Sequence, residues 1–423
     1  MVLDKQALIN QLLDTEDFHT DLLPIKAIIE DLHLYPSYPI ILVGGTNGKG
    51  STCAYLTTIL TLAGYKVGGF ISPHVLSYNE RITLDNQAVD DATLTKALAK
   101  VMKASQSKFG CNFGLFKTFA LAAQQIFLQQ GVDIAIIEVG IGGRLDVTNL
   151  FEPTISAVTN VDYDHCKILG DSLEQIGWEK AGIFRSQQWC FFGSPNIPDS
   201  VINYATQIKA RLQVAGTDFG IVKHELSFDV WCQERKFYSL PYPALRGKEQ
   251  VHNVALAVAI LSKLHERFPI SLATIKTGLL QTRLIGRFQI LPGLPQVVLD
   301  VAHNPQAVSA MLQNMLQLPF AKNDYAVVGI ANDKDVVQII QLCRHSFKTW
   351  FIAPINSPRS IAINKLTHLL LAQGIATENI IQCESIAAAY QAAKKKATIE
   401  DRITCFGSFL VVEQTYAAIH NLR

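Results

Sequence analysis

A glycine-rich stretch, Gly44-Gly45-Thr46-Asn47-Gly48-Lys49-Gly50-Ser51, lies between a short apolar run, Pro39 to Val43, and a helical pattern, Ser51 to Ala63, that stops at Gly64. Strand, glycine turn and helix in that order let backbone N–H groups, a helix N-terminus and one lysine converge on a phosphate chain. The stretch is not the strict Walker pattern. Its first glycine spacing is short by one residue, and Gly50 separates Lys49 from the Ser51 hydroxyl that would hold Mg²⁺. Further on, Asp133 to Val139 and Thr154 to Thr159 are continuous apolar runs of strand length, with a helical pattern over Thr118 to Gln130 ahead of the first. This alternation predicts an α/β fold in which a mainly parallel sheet carries the P-loop and is covered on both faces.

The pattern then repeats on a smaller scale. A helical stretch from Leu245 to Arg267 is expected to close the first domain, and IGRFQILPGLP, from Ile285 to Pro295, reads as a linker because Gly and Pro interrupt any periodicity. Strands are predicted at Val297 to Asp300, Tyr325 to Ile330, Trp350 to Ala353, Ile380 to Cys383 and Arg402 to Phe406. Helices should start at Pro305, Lys334, Ser360 and Ser385, with one more after the last strand. The expectation is a P-loop domain over residues 1–286 and a smaller Rossmann-like α/β domain over 287–423, with right-handed crossovers.

Composition narrows the partners. With 49% hydrophobic and 17% charged residues the chain can bury large cores, and 37 Lys plus Arg against 36 Asp plus Glu leave no global field for nucleic acid or an anionic membrane. The N-terminal stretch MVLDKQALINQLLDTEDF lacks an apolar signal core, and runs such as VALAVAIL are far shorter than the ~20 residues of a membrane span. The eight cysteines form no CxxC pair, so buried thiols in a reducing cytoplasm are expected.

Several polar residues end apolar strands, where open α/β sheets place ligands. Glu138 closes DIAIIEV; either a Mg²⁺ ion or backbone donors in a tight turn would offset the cost of burying it. His165 follows VTNVDYD as a metal ligand or a structural hydrogen-bonding residue. Lys180 in WEKAGIF reads on its own as an ordinary surface lysine. Asp300 and His303 end LDVAHNP, where Asn304 before Pro305 also reads as a helix N-cap.

These stretches occur with others in a fixed order. GTNGKGS, Ser72-Pro73-His74 with Tyr78-Asn79-Glu80-Arg81-Ile82, Glu138-Val139-Gly140-Ile141-Gly142-Gly143-Arg144-Leu145-Asp146 with Thr148-Asn149, Asp164-His165, Glu179-Lys180-Ala181-Gly182-Ile183, Gly286-Arg287-Phe288, Asp300 to Pro305 and Asp333-Lys334-Asp335 follow one another along nearly the whole chain. Together they resemble the folate branch of the Mur ligase superfamily. The resemblance implies an ATP-dependent ligase, acting as a cytoplasmic monomer, that adds L-glutamate to 7,8-dihydropteroate and to the γ-carboxylate of folates through an acyl-phosphate. It assigns Gly45, Thr46, Asn47, Gly48, Lys49, Gly50 and Ser51 to the ATP phosphates, Asn253 to adenine, Arg287 to the phosphates and Asp300 to the ribose. Two Mg²⁺ ions are implied, one near Ser51, Ser72 and Glu138 and a second at His165. Catalytic roles fall to Lys49, Glu138, His165, Lys180 and His303, with His303 at the phosphate or amino-acid site. Substrate contacts fall to Pro73, His74, Arg81, Arg144 and Asp146. In relatives the lysine matching Lys180 is carbamylated to N6-carboxylysine, which requires an amine kept neutral by burial.

The chain departs from the family pattern at Lys117, which follows Phe116 where many relatives have Glu, at Glu249-Gln250 in place of HQ, and at LYPSYP near the N-terminus. These departures concern the outer, substrate side of the site. The GGRLD form of the Arg144–Asp146 stretch looks like that of enzymes accepting dihydropteroate as well as folates. A folylpolyglutamate synthase without the first activity, a catalytically weak ATP-binding paralogue and a muramyl-peptide ligase are the alternatives. For the last, the residues before Pro39 are expected to leave no room for a UDP-binding domain.

Overall fold

The computed structural model describes residues 4–15, 21–233 and 235–421; parts of the N-terminal stretch read above, 1–3 and 16–18, lie outside these. The chain divides into two compact units, Met1–Ala244 with Val251–Thr282, and Leu245–Gln250 with Arg283–Arg423.

The first unit is built on β1 (Ile40–Gly44), β2 (Val67–Phe70), β3 (Ile82–Leu84), β4 (Gln87–Ala88), β5 (Ile134–Glu138), β6 (Ile155–Val158), β7 (Trp189–Phe192) and β8 (Arg211–Val214). They form one sheet in the order β4-β3-β2-β5-β1-β6-β7-β8. From β2 to β8 all neighbours are parallel, while β3 and β4 finish one edge antiparallel. Every residue of β1 and β5 is buried, as continuous apolar runs in a doubly covered parallel sheet should be. Val43 pairs with Glu138 and Gly44 with Val158, so the carboxyl ends of β5, β1 and β6 are level.

Helices pack on this sheet through apolar faces. Helix Leu115–Gln130 places Phe119, Ile126 and Phe127 in the core and stops at Gly131 in the left-handed region. The helix after β1 runs Lys49–Leu62, starting two residues before the expected Ser51, because Gly48 at φ +85° turns the chain tightly enough for Lys49 to begin it. An antiparallel sheet of β9 (Phe219–Lys223), β10 (Ser227–Cys232) and β11 (Lys236–Pro241) was not anticipated. In β10 every second residue is buried, the period of a half-covered strand, whereas continuous apolar runs guided the reading above. The expected helix from Leu245 to Arg267 is corrected to Gln250–Lys263: Gly247, at φ +126°, sits in a turn ahead of it.

The second unit holds β12 (Gln289–Leu291), β13 (Gln296–Leu299), β14 (Asp324–Val328), β15 (Thr349–Ile352), β16 (Ile380–Gln382) and β17 (Arg402–Phe406), in the order β12-β13-β17-β14-β15-β16. β12 lies inside the stretch read as an irregular linker and pairs antiparallel with β13; three residues are too few to show a period. The other pairs are parallel. The chain steps outward from β13 through β14 and β15 to β16, then returns to insert β17 beside β13. With right-handed crossovers the return puts helix Ile386–Lys396 on the face opposite helices Pro305–Met315, Val336–Cys343 and Ile363–Ala372. The loops after β13 and β17 therefore diverge to opposite faces, which opens a crevice at their carboxyl ends.

Candidate active site

In the first unit the phosphate loop is shaped by its neighbour after β6. Gly45 has φ +134°, and a Cβ there would lie 1.8 Å from Thr159 Oγ1. Thr46 N–H donates to the Asn160 carbonyl at 3.1 Å and Asn47 N–H to Asn160 Oδ1 at 3.0 Å, while Thr159 Oγ1 donates to the Asn47 carbonyl at 2.6 Å. The Thr46 hydroxyl also joins Asp162, accepting its N–H at 3.0 Å. At Gly48 a Cβ would stand 2.5 Å from Asn253 Oδ1, so Asn253 lies directly against the loop. Lys49 Nζ donates back to the carbonyls of Gly45 and Thr46 at 3.1 and 3.3 Å. Gly50 and Ser51 are buried in the first turn of the following helix.

The strand ends on one side add acid and hydroxyl groups. Glu138 is 4% exposed and accepts the Ser72 N–H at 3.0 Å. Past Pro73, Arg81 Nε donates to His74 Nδ1 at 2.9 Å, which fixes the neutral His74 ring with its proton on Nε2. Burial and the Arg81 charge together hold the His74 pKa down at about 3. Glu80 folds this loop by accepting the N–H groups of Val75, Leu76 and Ser77 at 2.8, 2.9 and 2.8 Å.

Asp146 sits beneath the loop that follows β5. One carboxylate oxygen accepts the N–H groups of Gly140 and Ile141, both at 3.1 Å, and the other accepts the Thr148 N–H and hydroxyl at 2.9 and 2.6 Å. Desolvation raises its pKa in spite of those bonds. Arg144, on the same loop, turns elsewhere: its guanidinium carbon lies 4.3 Å from the Trp178 ring centre and 4.8 Å from that of Tyr204.

Lys180 is not a surface residue. It is 4% exposed on helix Leu173–Ala181, and desolvation, then repulsion from Lys49, lower its pKa to about 7 against the opposing pull of Asp164. Both Lys49 and Glu138 act electrostatically on Cys53, one turn into the phosphate-loop helix. Lys49, Glu138, Lys180 and Asp164 therefore share one electrostatic neighbourhood. His165, in the left-handed region at φ +53°, begins a short helix with Nε2 3.9 Å from Asp164 Oδ1.

The second unit carries its own cluster just after β13, at residues 300–304. Asp300 accepts the N–H groups of Ala302 and Phe288 at 2.8 and 3.1 Å, and its pKa is pushed up to about 7, first by desolvation and further by Glu249, with Arg287 opposing. His303 Nδ1 lies 2.8 Å from the Val301 carbonyl, to which it donates a proton. The Arg287 guanidinium lies 5.1 Å from the Phe409 ring centre, and the His303 ring centre 6.0 Å from it. Asn304 caps helix Pro305–Met315 through Oδ1, so the capping reading of that residue holds as well.

The Mur ligase middle domain profile matches residues 43–261, and the Mur ligase glutamate ligase domain profile matches 286–409. The chain is 34% identical over 392 residues to the dihydrofolate synthase/folylpolyglutamate synthase of Escherichia coli K12, covering 92% of this chain and 89% of that protein. The chain belongs to the dihydrofolate synthase/folylpolyglutamate synthase family. Among solved structures of this family it resembles E. coli FolC in complex with DHPP and ADP, with a TM-score of 0.91 and 31% identity over 99% of this chain and 98% of that one. It also resembles a bifunctional folylpolyglutamate synthase/dihydrofolate synthase with Mn, AMPPNP and L-glutamate bound, with a TM-score of 0.89 and 32% identity over 98% of each chain.

Set within this family, the donor chemistry around β1 and β5 can be weighed. Ser51, Ser72 and Glu138 offer hard oxygen donors, a set that suits Mg²⁺ completed by waters and phosphate oxygens. Among the described residues no three His, Cys, Asp or Glu converge as a protein-only cage. No helix among them is long and apolar enough to cross a membrane. Sequence reasoning missed Asn160 and Asp162, although VTNVDYD was in view, because polar residues after a strand carry no periodic signal. It also missed Trp178, Tyr204 and Phe409, whose ring contacts arise only from folding. The family departure at Glu249 has a local account: its carboxylate accepts the Asn314 amide at 3.1 Å.

Proposed function

We propose that this chain is an ATP-dependent ligase that joins L-glutamate to 7,8-dihydropteroate, giving dihydrofolate, and to the γ-carboxylate of folates, extending a polyglutamate tail. The observation that carries the reading is the phosphate loop, with left-handed Gly45 and Gly48 and the Lys49 ammonium, set level with the buried carboxylate of Glu138 in a chain of this family. Backbone N–H groups of residues 45–51 bind the phosphates, with Asn253 against the loop. In the second unit Arg287 serves the phosphates and Asp300 the ribose, with His303 at the phosphate or amino-acid site. Pro73, His74, Arg81, Arg144 and Asp146 face the acid substrate or shape the loops that do.

A substrate carboxylate oxygen attacks the γ-phosphorus, the bond to the bridging oxygen breaks and ADP leaves. Lys49, now paired with the loop carbonyls, turns to the transferring group, because such transfer is mostly positioning and electrostatics. Ser51, Ser72 and Glu138 would hold a Mg²⁺ ion and His165 a second one, and ions bound there would supply further positive charge to the phosphates. Lys180, its pKa lowered to about 7 chiefly by burial, would in its neutral form add CO₂ at Nζ and release a proton to solvent, and the resulting N6-carboxylysine anion would orient this cluster. The glutamate amine then adds to the acyl carbon, and the tetrahedral oxyanion collapses with loss of phosphate. The working unit is taken to be a single chain in the cytoplasm; cysteines without a CxxC pair suit a reducing compartment.

ADP release, measured with dihydropteroate, tetrahydrofolate or a UDP-muramyl substrate, each with and without L-glutamate, tests the reading. Glutamate-dependent release is expected with the first two acids. Release with the muramyl substrate alone, or none that depends on glutamate, overturns it.

A further inference from the structure

Helix Asp91–Phe109 carries a charge pattern that the site described above does not use. Its sequence, DATLTKALAKVMKASQSKF, holds four lysines and a single acid, Asp91, in a chain whose formal net charge is only +1. Asp91 is already taken, by Lys5 Nζ at 2.6 Å and Asn79 Nδ2 at 2.9 Å, and Lys108 donates to the Ala27 carbonyl at 3.1 Å. Lys96, Lys100 and Lys103 remain. Their spacing of four and three residues puts them on one exposed face, and among the described residues none of the three has a hydrogen-bond or ion-pair partner. Beside this stripe runs an open groove of about 470 Å³, within the roughly 300–1,000 Å³ of small-molecule clefts. Leu8, from helix Lys5–Leu13, and Met102 give it apolar walls, while Lys100, Lys103 and Asn112 also line it. Asn112 Oδ1 is buried without a hydrogen bond, a costly state that an incoming N–H donor would relieve.

The helix is fixed at both ends to loops of the site. Asn79, which holds its first residue, belongs to the loop whose Ser72 N–H binds Glu138. After Asn112 the chain enters helix Leu115–Gln130, and there the Phe116 ring stands so close to Gly140, two residues past Glu138, that a Cβ on that glycine would lie 2.7 Å from Phe116 Cζ. A ligand for the groove needs regularly spaced negative charge, short apolar links and N–H donors. A γ-linked glutamate chain has all three: each unit carries one α-carboxylate, two methylenes and one amide N–H. Its repeat of five skeletal atoms spans about 6 Å when extended. Along the helix Lys96 and Lys100 are about 6 Å apart and Lys100 and Lys103 about 4.5 Å, so successive carboxylates meet successive lysines.

We infer that the Lys96–Lys100–Lys103 face and the groove beside it bind the γ-linked glutamate tail of folate substrates and products. The inference rests on the folate-ligase reading above. Lysine suits the task because its flexible stem and point charge follow a chain of carboxylates without demanding the planar, paired geometry of arginine. Each exposed pair contributes little, so the site favours tails long enough to engage several lysines at once.

The test is binding and turnover of the full chain at physiological ionic strength, where unspecific attraction is screened beyond about 8 Å. Tetra-γ-L-glutamate, labelled with a fluorophore through an amide at its N-terminus, is titrated with wild type, Lys96→Gln and the double variant Lys100→Gln/Lys103→Gln, and read by anisotropy. The double variant is expected to raise the Kd about tenfold, the size of two exposed ion pairs lost together, and Lys96→Gln about threefold. Tetra-α-L-glutamate has the same charge, but alternate side chains of the extended chain point away, so wild type should bind it at least about threefold more weakly. In turnover, the quantity read is the KM for tetraglutamyl tetrahydrofolate divided by the KM for the monoglutamate, which should rise in the double variant by about the same tenfold. Equal Kd values in wild type and double variant, equal affinity for the two peptides, or an unmoved KM ratio overturns the inference. Because binding is read without ATP, failure of the functional reading, seen as no glutamate-dependent turnover in the wild type, is distinguished from failure of the groove.

Discussion

Lys49 and Lys180 show how one neighbourhood treats two like charges. Lys49 bonds to the carbonyls of its own loop, and Lys180, deeper and repelled by it, loses part of its proton affinity. Two predictions follow at this scale. Lys49→Ala should lower turnover by about 10²- to 10³-fold, as for other charge-stabilising groups, with the fold retained by circular dichroism; near-normal ADP release would refute its role. For Lys180 the sign is set by a pKa lowered to about 7: the neutral amine, the form that adds CO₂, grows as pH rises through that value. Carbonyl-labelled bicarbonate should therefore give a carbamate NMR signal that increases from pH 6 to pH 8 and is missing in Lys180→Arg. A flat or absent signal in the wild type would exclude the modification. The sequence could name Lys180 only by family likeness, since nothing local in WEKAGIF reveals burial.

At the scale of elements, what was legible depended on how local the signal is. The strand, glycine loop and helix around residues 40–62 could be read because their turn chemistry and apolar run are contiguous. The five parallel strands of the second unit were legible for the same reason. Three-residue β12 and the aromatic partners of Arg144 were not, because one is shorter than any period and the others come from separate helices brought together by packing. The YNERI stretch was recognised, yet not the reason it needs Glu80: that carboxylate accepts three successive backbone N–H groups. Glu80→Ala should destabilise the protein by roughly 1–3 kcal/mol through those orphaned donors. Hydrogen exchange should then quicken at Val75, Leu76 and Ser77 while the amides of β1 and β5 stay protected; uniform loss of protection would contradict a local role.

At the scale of the whole molecule the chain does not pass once from one unit to the other. Residues 245–250 belong with the second unit although they interrupt the first, and Asn314 fastens them there by accepting the Lys248 N–H at 3.0 Å and donating to Glu249 at 3.1 Å. Asn314 is 4% exposed, so Asn314→Ala should cost about 1–3 kcal/mol and make residues 245–250 the first site cut in limited proteolysis. Unaltered cleavage kinetics would show that the fastening is immaterial. The domain boundary is thus a matter of two segments, which no single Gly- and Pro-rich stretch could announce.

That six-residue strap also bears on how such chains can be recombined. A hybrid of two relatives spliced only near residue 283 would inherit the strap from one parent and Asn314 from the other, so each half would carry a foreign clasp. Exchange of the smaller unit as a working module requires two grafts, and sequence drift at Glu249 and Asn314 should travel together across such exchanges.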